Sequence, residues 1–519
     1  MSRALMPGRA TIEGTRIAAR RYGGAVRRLG RLELEVAPIG FGGYRIHTDS
    51  PVHRQALEEA LRAGVNLVDT SANYTGGGSE RLIGEVLATL VTQGVVRREE
   101  VVVVSKAGYI QGAPLEAMTK GELPRPPEVV EYQPTCWHCL HPDFLAAQIE
   151  ASRERLGLAT IDVLLLHNPE YLLIDRRNRH GAVTPADREE LLRRIAAAFS
   201  FLEGQVERGV IGAYGVSSNA FAGAEEDPEF VSLARLVDLA AATCGPNNRF
   251  AVVQMPLNLY ETGPLRRRQA TREGPRSALE IAAQADLGVL TNRPLSAFIR
   301  GEGEPRMVRL ADVGGRTGGR VRDSAPLLRA VCELEERWRL DLGRVLAATS
   351  GDDRFTELFR WGEELTRGLE TIRDLGHWMQ LRNGVIATHM GQLGGILLAS
   401  LEGEELRRFR GFWEEYGATL GAALDGIEDG FRARAQAVAD MISDRLAPAL
   451  PEPVRGLSLS QRAVFTLLAA PVSCVLVGMR RPAYVHDMRE LGGHIGGDER
   501  EQIDLWAVVE AFAPSMSVH

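Results

Sequence analysis

The sequence predicts an α/β protein: a closed (β/α)8 TIM barrel with an all-helical insertion between its seventh and eighth units. Three observations carry this. Short apolar runs recur, each ending in a polar or glycine-rich corner: VNLVD at Asp69, VVVVSK at Lys106, IDVLLLH at His167, then VIGAYGVSSN, FAVVQ, LGVLTNRP and CVLVG. Strands buried on both faces read as such continuous Val/Ile/Leu runs, whereas half-exposed strands alternate. Between most neighbouring runs lies one amphipathic helical segment, and steady strand–helix–strand alternation gives right-handed crossovers and a parallel sheet. The loops that leave the strands of a closed barrel converge on one mouth, so the chemistry is expected at the strand ends.

Taken in order, residues 1–28 are expected as an N-terminal arm whose arginines, Arg16, Arg20, Arg21, Arg27 and Arg28 with Arg31 just beyond, are solvated. The barrel is expected over 29–299 and 454–497. It begins with LELEVA, an alternating segment that suits a hairpin plugging the barrel floor, and the first strand ends at Gly42, Gly43 and Tyr44. HRQALEEALRAG has helical spacing and stops at Gly64, a helix-terminating residue type. SERLIGEVLATL forms the next helix. The segment from Gly108 to Leu140 is irregular and longer than the ~2–6 residues usual for such a loop. PDFLAAQIEASRERLG opens on Pro142, which costs nothing in a first helical turn. A second long loop, Asn168 to Pro185, precedes the periodic helix DREELLRRIAAAFSFLEGQVERG. EFVSLARLVDLAA and SALEIAAQADLG are the next two helices.

Regular alternation then stops. Residues 300–453 read as a helical insertion placed to cap the mouth, with a glycine- and arginine-rich link at Gly314 to Arg322. Its tryptophans, Trp338, Trp361, Trp378 and Trp413, are expected as packing anchors. LSLSQRAVFTLLAA, the strand SCVLVGM and a helix from Pro482 complete the barrel, and 498–519 form a C-terminal helix.

Composition narrows the class of function. The chain has 519 residues, 45% hydrophobic and 25% charged, with a net charge of −7. That modest negative balance argues against a nucleic-acid footprint. No run reaches the ~20 apolar residues of a membrane span, and no apolar core follows the N-terminal arginines. Five cysteines, an odd number in a long chain, suit a reducing cytoplasm.

Asp69, Tyr74, Lys106 and His167 come from the mouths of three adjacent strands. Together they can form a proton-transfer site. An ammonium beside a phenol stabilises phenolate and lowers its pKa from ~10. A carboxylate keeps that ammonium charged and aimed, an imidazole orients a carbonyl oxygen, and the tyrosine serves as general acid.

GFGGYR, LVDTSANYTGGGSERLIGE, VVVVSKAGY, LGLATIDVLLLHNPE, GVIGAYGVSSNAF and CVLVGMRRPAYVHDM resemble, in order, blocks of the aldo-keto reductase family. The resemblance covers Leu29 to Ile299 and Leu457 to Leu491. It implies a catalytic tetrad on Asp69, Tyr74, Lys106 and His167 and an extended nicotinamide dinucleotide bound without a Gly-rich fingerprint. It further implies that Gly43 and Tyr44 approach the nicotinamide ribose and pyrophosphate. By the same resemblance Ser217, Ser218 and Asn219 lie where the family anchors the carboxamide, the doubled serine leaving the register open by one, and Gln254 matches the carboxamide-binding glutamine, whose side-chain amide offers donor and acceptor together. The stacking position of the seventh strand falls on Asn292 where the family often has an aromatic residue, and Arg293 beside it can grip pyrophosphate. Gly478, Arg480, Arg481, Tyr484 and Asp487 occupy the adenosine end. The two arginines there favour NADP(H) over NAD(H), although Tyr484 replaces a frequent basic residue or Gln.

The function so implied is NAD(P)-dependent hydride transfer to or from an aldehyde, ketone or sugar. An alternative is a regulatory nicotinamide-binding barrel that uses its helical insertion for protein interaction. A third is a catalytic nicotinamide in elimination or epimerisation of a sugar. Cys136, His138, Cys139 and His141 have the look of a zinc set, but no second CxxC or paired-His motif completes it, so no metal is expected. The glycines of TGGGSE read as a sharp turn rather than a phosphate cradle.

Overall fold

The computed structural model describes residues 4–23, 25–299, 306–313, 322–495 and 503–512. It contains two compact units, one of Met1–Ala311 with Arg445–His519 and one of Asp312–Asp444.

In the first unit eight strands close a parallel barrel: β1 (Ile39–Gly42), β2 (Leu67–Asp69), β3 (Val102–Ala107), β4 (Ile161–His167), β5 (Ile211–Ser217), β6 (Phe250–Pro256), β7 (Gly288–Asn292) and β8 (Cys474–Val477). Each pairs with its sequence neighbours, and β8 returns to β1 through Val475 opposite Ile39. Seven match the expected runs, because burial on both faces removes the polar alternation that other strands show, and β1 ends at Gly42 where the first strand was expected to end. The register puts Ser217 level with both His167 and Gln254, so three side chains meet in one layer at the mouth.

The floor is plugged as the LELEVA pattern predicts. Arg27–Arg28 and Glu35–Val36 pair antiparallel, and Leu29, Leu34 and Val36 join Leu67, Val102, Val163, Leu165 and Leu290 in one core. Gly30 has a φ of 51°, and a Cβ there would lie 2.2 Å from the backbone nitrogen of Gly288, so only glycine lets the plug approach β7.

Several segments differ from expectation. Within residues 1–28, read as a solvated arm, Ile12–Tyr22 is a helix capped by Thr11 and buries Ala18 and Ala19. Its arginines find distant partners: Arg16 bonds Glu35 at 3.0 Å, Arg21 pairs with Glu100, and Arg27 donates to carbonyls of Leu468 and Val472. Arg28 pairs with Asp286. A charge run looks solvated in sequence because its partners lie 19 to 445 positions away.

The segment Gly108–Leu140 folds as a three-stranded antiparallel sheet, Tyr109–Ile110, Cys136–His138 and Val130–Gln133, with a helix at Ala113–Thr119. The loop Asn168–Pro185 holds the helix Tyr171–His180. After β7 an antiparallel pair, Ser296–Ile299 with Arg306–Arg309, precedes any helix of the insertion. The expected link at Gly314–Arg322 lies, apart from Arg322, outside the described residues. The C-terminal helix is Leu505–Phe512, and its Phe512 packs edge-on to Tyr260.

The second unit is helical, from Ser324–Leu340 through Ala387–Ser400 into the 44-residue helix Gly403–Leu446. Trp338 and Trp378 are buried in its core with Phe359, Phe409 and Tyr416, which makes them packing anchors. Buried Glu335 accepts from the backbone of Gly362 (2.6 Å) and Glu363 (3.2 Å) and from the Tyr416 hydroxyl (2.8 Å). No helix among the described residues is long and apolar enough to cross a membrane.

Candidate active site

Lys106 leaves the end of β3 and is completely buried. Its Nζ donates to Asp69 Oδ2 (2.7 Å), to the Thr70 carbonyl (2.8 Å) and to the Tyr74 hydroxyl (3.2 Å). Three acceptors satisfy all three ammonium protons, as a cation removed from water requires. Asp69 ends β2, and its other oxygen accepts from Gln254 Nε2 at 2.7 Å. Tyr74 reaches the cluster from a short turn in which Thr75 and Gly76 take left-handed backbone angles. The TGGGSE glycines therefore shape that turn, as expected.

His167 ends β4. Its Nδ1 lies 3.1 Å from the Ser71 hydroxyl, and its ring stands 6.0 Å edge-on from that of Tyr74. All four residues of the expected tetrad thus lie in one cluster, with Lys106 linking carboxylate to phenol.

Burial and charge set the protonation states. Burial alone would lower the Lys106 ammonium, but Asp69 and Tyr74 hold it above the ordinary lysine value. For Tyr74 the expectation is corrected. Burial raises the phenol above its ordinary value, and the pull of Lys106 offsets only part of that. Burial, then the Lys106 charge, then His138 hold His167 well below the ordinary histidine value, so its ring is neutral at neutral pH.

The supporting residues were not anticipated. His138 Nε2 bonds the His167 carbonyl at 2.7 Å, and burial lowers its own pKa to about 4. Tyr109 packs edge-on to His167 with centroids 4.7 Å apart and accepts from Asn168 Nδ2 at 2.7 Å. Tyr171 and Tyr132 extend this aromatic wall. Their only sequence signal was position: Tyr109 and Asn168 directly follow the strand ends that carry Lys106 and His167. Cys136 accepts from Gln111 at 3.2 Å, and the described residues contain no metal-competent cluster of His, Cys, Asp and Glu.

Of the expected dinucleotide residues, Gly43, Tyr44 and Gln254 touch this centre directly, and Ser217 reaches it through Gln254. Gly43 donates to the Asp69 carbonyl at 2.8 Å, and a Cβ there would lie 2.8 Å from that same oxygen. Tyr44 is 62% exposed and meets Tyr74 edge-on at 5.0 Å. Ser217 Oγ lies 3.1 Å from Gln254 Oε1, so Gln254 links the β5 corner to Asp69 while keeping one donor and one lone pair free of these bonds. Ser218 Oγ and the Asn219 backbone bond Glu170 at 2.8 and 3.0 Å.

Arg293, with a φ of 56°, pairs with Glu261 at 2.6 Å and lies over the Phe298 ring. Asn292 Oδ1 is buried without a hydrogen-bond partner. Beyond Gly478, burial lowers Arg480, and the charges of Arg45, Arg309 and Arg481 lower it further, with Tyr484 opposing. His53 feels Arg480 and Arg481 as well. Asp487 stands in the following helix, and its carbonyl accepts from Gln461 at 2.9 Å. Arg480 is partly buried, whereas Arg45, Arg309 and Arg481, whose charges act on it, are exposed.

A family model described as the Aldo/keto reductase family matches residues 38–305. The NADPH-dependent aldose reductase GRE3 of Saccharomyces cerevisiae is 25% identical over 195 residues, 36% of this chain and 49% of that protein. D-threo-aldose 1-dehydrogenase of a Pseudomonas species is 29% identical over 196 residues, 36% of this chain and 51% of its own length. The NADH-specific methylglyoxal reductase of Escherichia coli is 29% identical over 147 residues, 27% of this chain and 40% of that protein. The chain thus spans about half or less of these curated relatives. Among solved structures, the glycerol dehydrogenase AKR11B4 of Gluconobacter oxydans aligns over 94% of both chains at 16% identity and a TM-score of 0.45.

Proposed function

The chain belongs to the aldo/keto reductase family, and on that ground we propose that it is a nicotinamide-dependent oxidoreductase acting on the carbonyl or alcohol carbon of an aldehyde, ketone or sugar. One observation carries the reading: a buried ammonium bonded at once to the Asp69 carboxylate and the Tyr74 hydroxyl.

In the reducing direction Tyr74 gives its proton to the substrate oxygen. Burial keeps the phenol protonated beforehand, and Lys106, 3.2 Å away, neutralises the phenolate as it forms. Asp69 holds Lys106 charged and aimed. His167, neutral, orients the substrate oxygen without competing as an acid. In oxidation the same groups run in reverse, with Tyr74 as the base. Tyr44 packs edge-on to Tyr74 and Tyr109 edge-on to His167, which limits where those two side chains can move.

When bound, the dinucleotide supplies or takes the hydride. Gly43, Tyr44, Ser217, Ser218, Asn219 and Gln254 would hold its nicotinamide half. Arg293 would meet the pyrophosphate by exchanging Glu261 for phosphate. Gly478, Arg480, Arg481, Tyr484 and Asp487 would hold the adenosine end. The crowding of Arg480 with Arg45, Arg309 and Arg481 favours NADP(H), because a 2′-phosphate neutralises guanidinium groups bidentately. The names of the relatives divide on this point, one NADPH-dependent and one NADH-specific.

The test is Tyr74→Phe assayed against a panel of aldehydes, ketones and sugars. Turnover is expected to vanish while NADPH binding persists, and turnover that survives would remove Tyr74 from its role.

A further inference from the structure

Three residues past His167 lies a carboxylate that the proton-transfer scheme does not use. Glu170 is 3% exposed at the start of the helix Tyr171–His180. One of its oxygens accepts from the Ser218 hydroxyl at 2.8 Å and the other from the Asn219 backbone N–H at 3.0 Å. Ser218 Oγ in turn accepts from the Ala220 N–H at 3.1 Å, and the Ser218 N–H donates to the Gln254 carbonyl at 3.0 Å. The Asn168 N–H donates to the Ser217 carbonyl at 2.7 Å. The β5 corner is therefore clamped from two sides, by the β6 end and by the segment after β4.

We propose that Glu170 is a positioning residue for the cofactor amide: its buried carboxylate fixes the Ser218–Asn219 corner in the shape that receives the nicotinamide carboxamide. The proposal rests on the reading that Ser217–Asn219 contact that amide. An ionised carboxylate accepts both donors with charge assistance, whereas a protonated one loses that assistance and turns one oxygen into a competing donor.

Burial pushes the Glu170 carboxyl up to about 7, with Ser218 and Asn219 pulling it back and Glu229 raising it. The other groups that bear on it are Arg293, whose charge favours the ionised form, and the neutral phenols Tyr109 and Tyr171. The sign follows: the clamp is at full strength above about pH 7 and weakens as the pH falls through that value.

The experiment is calorimetric titration of the full chain with NADPH and, separately, with 2′,5′-ADP, which lacks the nicotinamide, between pH 6 and pH 8. For the wild type, the NADPH Kd is expected to rise up to about tenfold per pH unit below neutrality, the limit for one linked proton. The 2′,5′-ADP Kd should change far less. In Glu170→Gln the NADPH Kd at pH 8 should weaken about tenfold, the scale of one charge-assisted hydrogen bond. Its Glu170-dependent pH response should disappear, with 2′,5′-ADP binding retained. Wild-type NADPH affinity as flat with pH as that of 2′,5′-ADP would overturn the proposal without any variant. So would a Glu170→Gln protein that binds NADPH as the wild type does. Asn219→Ala separates the two levels: if it leaves NADPH affinity intact, the corner does not hold the amide and the underlying reading fails. If it weakens NADPH while Glu170→Gln does not, only the role of Glu170 fails.

Discussion

Replacing Asp69 with Asn keeps the shape of the site and removes one charge, leaving Lys106 buried with no counter-ion on its 2.7 Å partner. Breaking a buried pair on one side costs about 3–5 kcal/mol. A second route gives a ceiling. The variant can escape by deprotonating Lys106, and at pH 7 that costs about 5 kcal/mol for a lysine whose free pKa is near 10.4. The two figures agree, so a loss of about 3–5 kcal/mol is expected at pH 7.

The sign with pH is diagnostic. In the wild type the folded Lys106 pKa is raised, so its contribution is intact below the unfolded value and is lost only as the pH climbs through the folded one. In Asp69→Asn the main opposing charge is gone, and burial dominates and lowers that pKa. The unfolded state then binds the extra proton, so the variant regains stability as pH rises from 7 to 9, by up to about 1.4 kcal/mol per unit.

Four of the six tryptophans lie in the helical unit, so fluorescence would report mainly on the wrong unit. Hydrogen-exchange mass spectrometry on peptides spanning β2 and β3 reads the barrel directly. A variant no less stable than wild type at pH 7, or one that weakens further as pH rises, would refute the ion-pair argument. Asp69→Asn with Lys106→Met should recover most of the loss, because both charges leave together.

Other outcomes follow from the same geometry. With dinucleotide saturating, kcat should show no inflexion near pH 6.5, because His167 titrates well below that value; a pH–rate profile with a clear step there would contradict its neutral state. Arg480→Ala should weaken NADPH binding by about 10- to 100-fold, the worth of one or two charge-assisted bonds, and NADH binding much less, as parallel titrations will show. Gly215→Ala places a Cβ 1.7 Å from the Val252 carbonyl at the register shift between β5 and β6. It should cost about 1–3 kcal/mol or more, read as faster exchange in those strands. Glu335→Ala strands two backbone donors and the Tyr416 hydroxyl inside the helical unit, so tryptophan-monitored unfolding of that unit should shift by about 2–4 kcal/mol.

The eight strands and the four-residue centre were readable because each left a local mark. Double-sided burial erases polar alternation over β3 and β4, so Lys106 and His167 stand out as polar groups closing apolar runs. Residues without such a mark were missed. Glu170 looks like any loop acid until Ser218 and Asn219 fold against it from 48 and 49 positions away. Arg45 and Arg309 gave no hint that they would face Arg480.

By itself, the order of apolar runs and corners determined that this chain closes a barrel and which side chains ring its mouth, because strand burial and chain direction are local consequences of residue type. Tertiary structure alone decided the charges those side chains carry. The phenol of Tyr74 is raised rather than lowered, since how far a group is removed from water depends on everything packed around it. It likewise decided which arginines are paired, as Arg28 is with Asp286, because an ion pair forms across space between residues that the sequence keeps far apart.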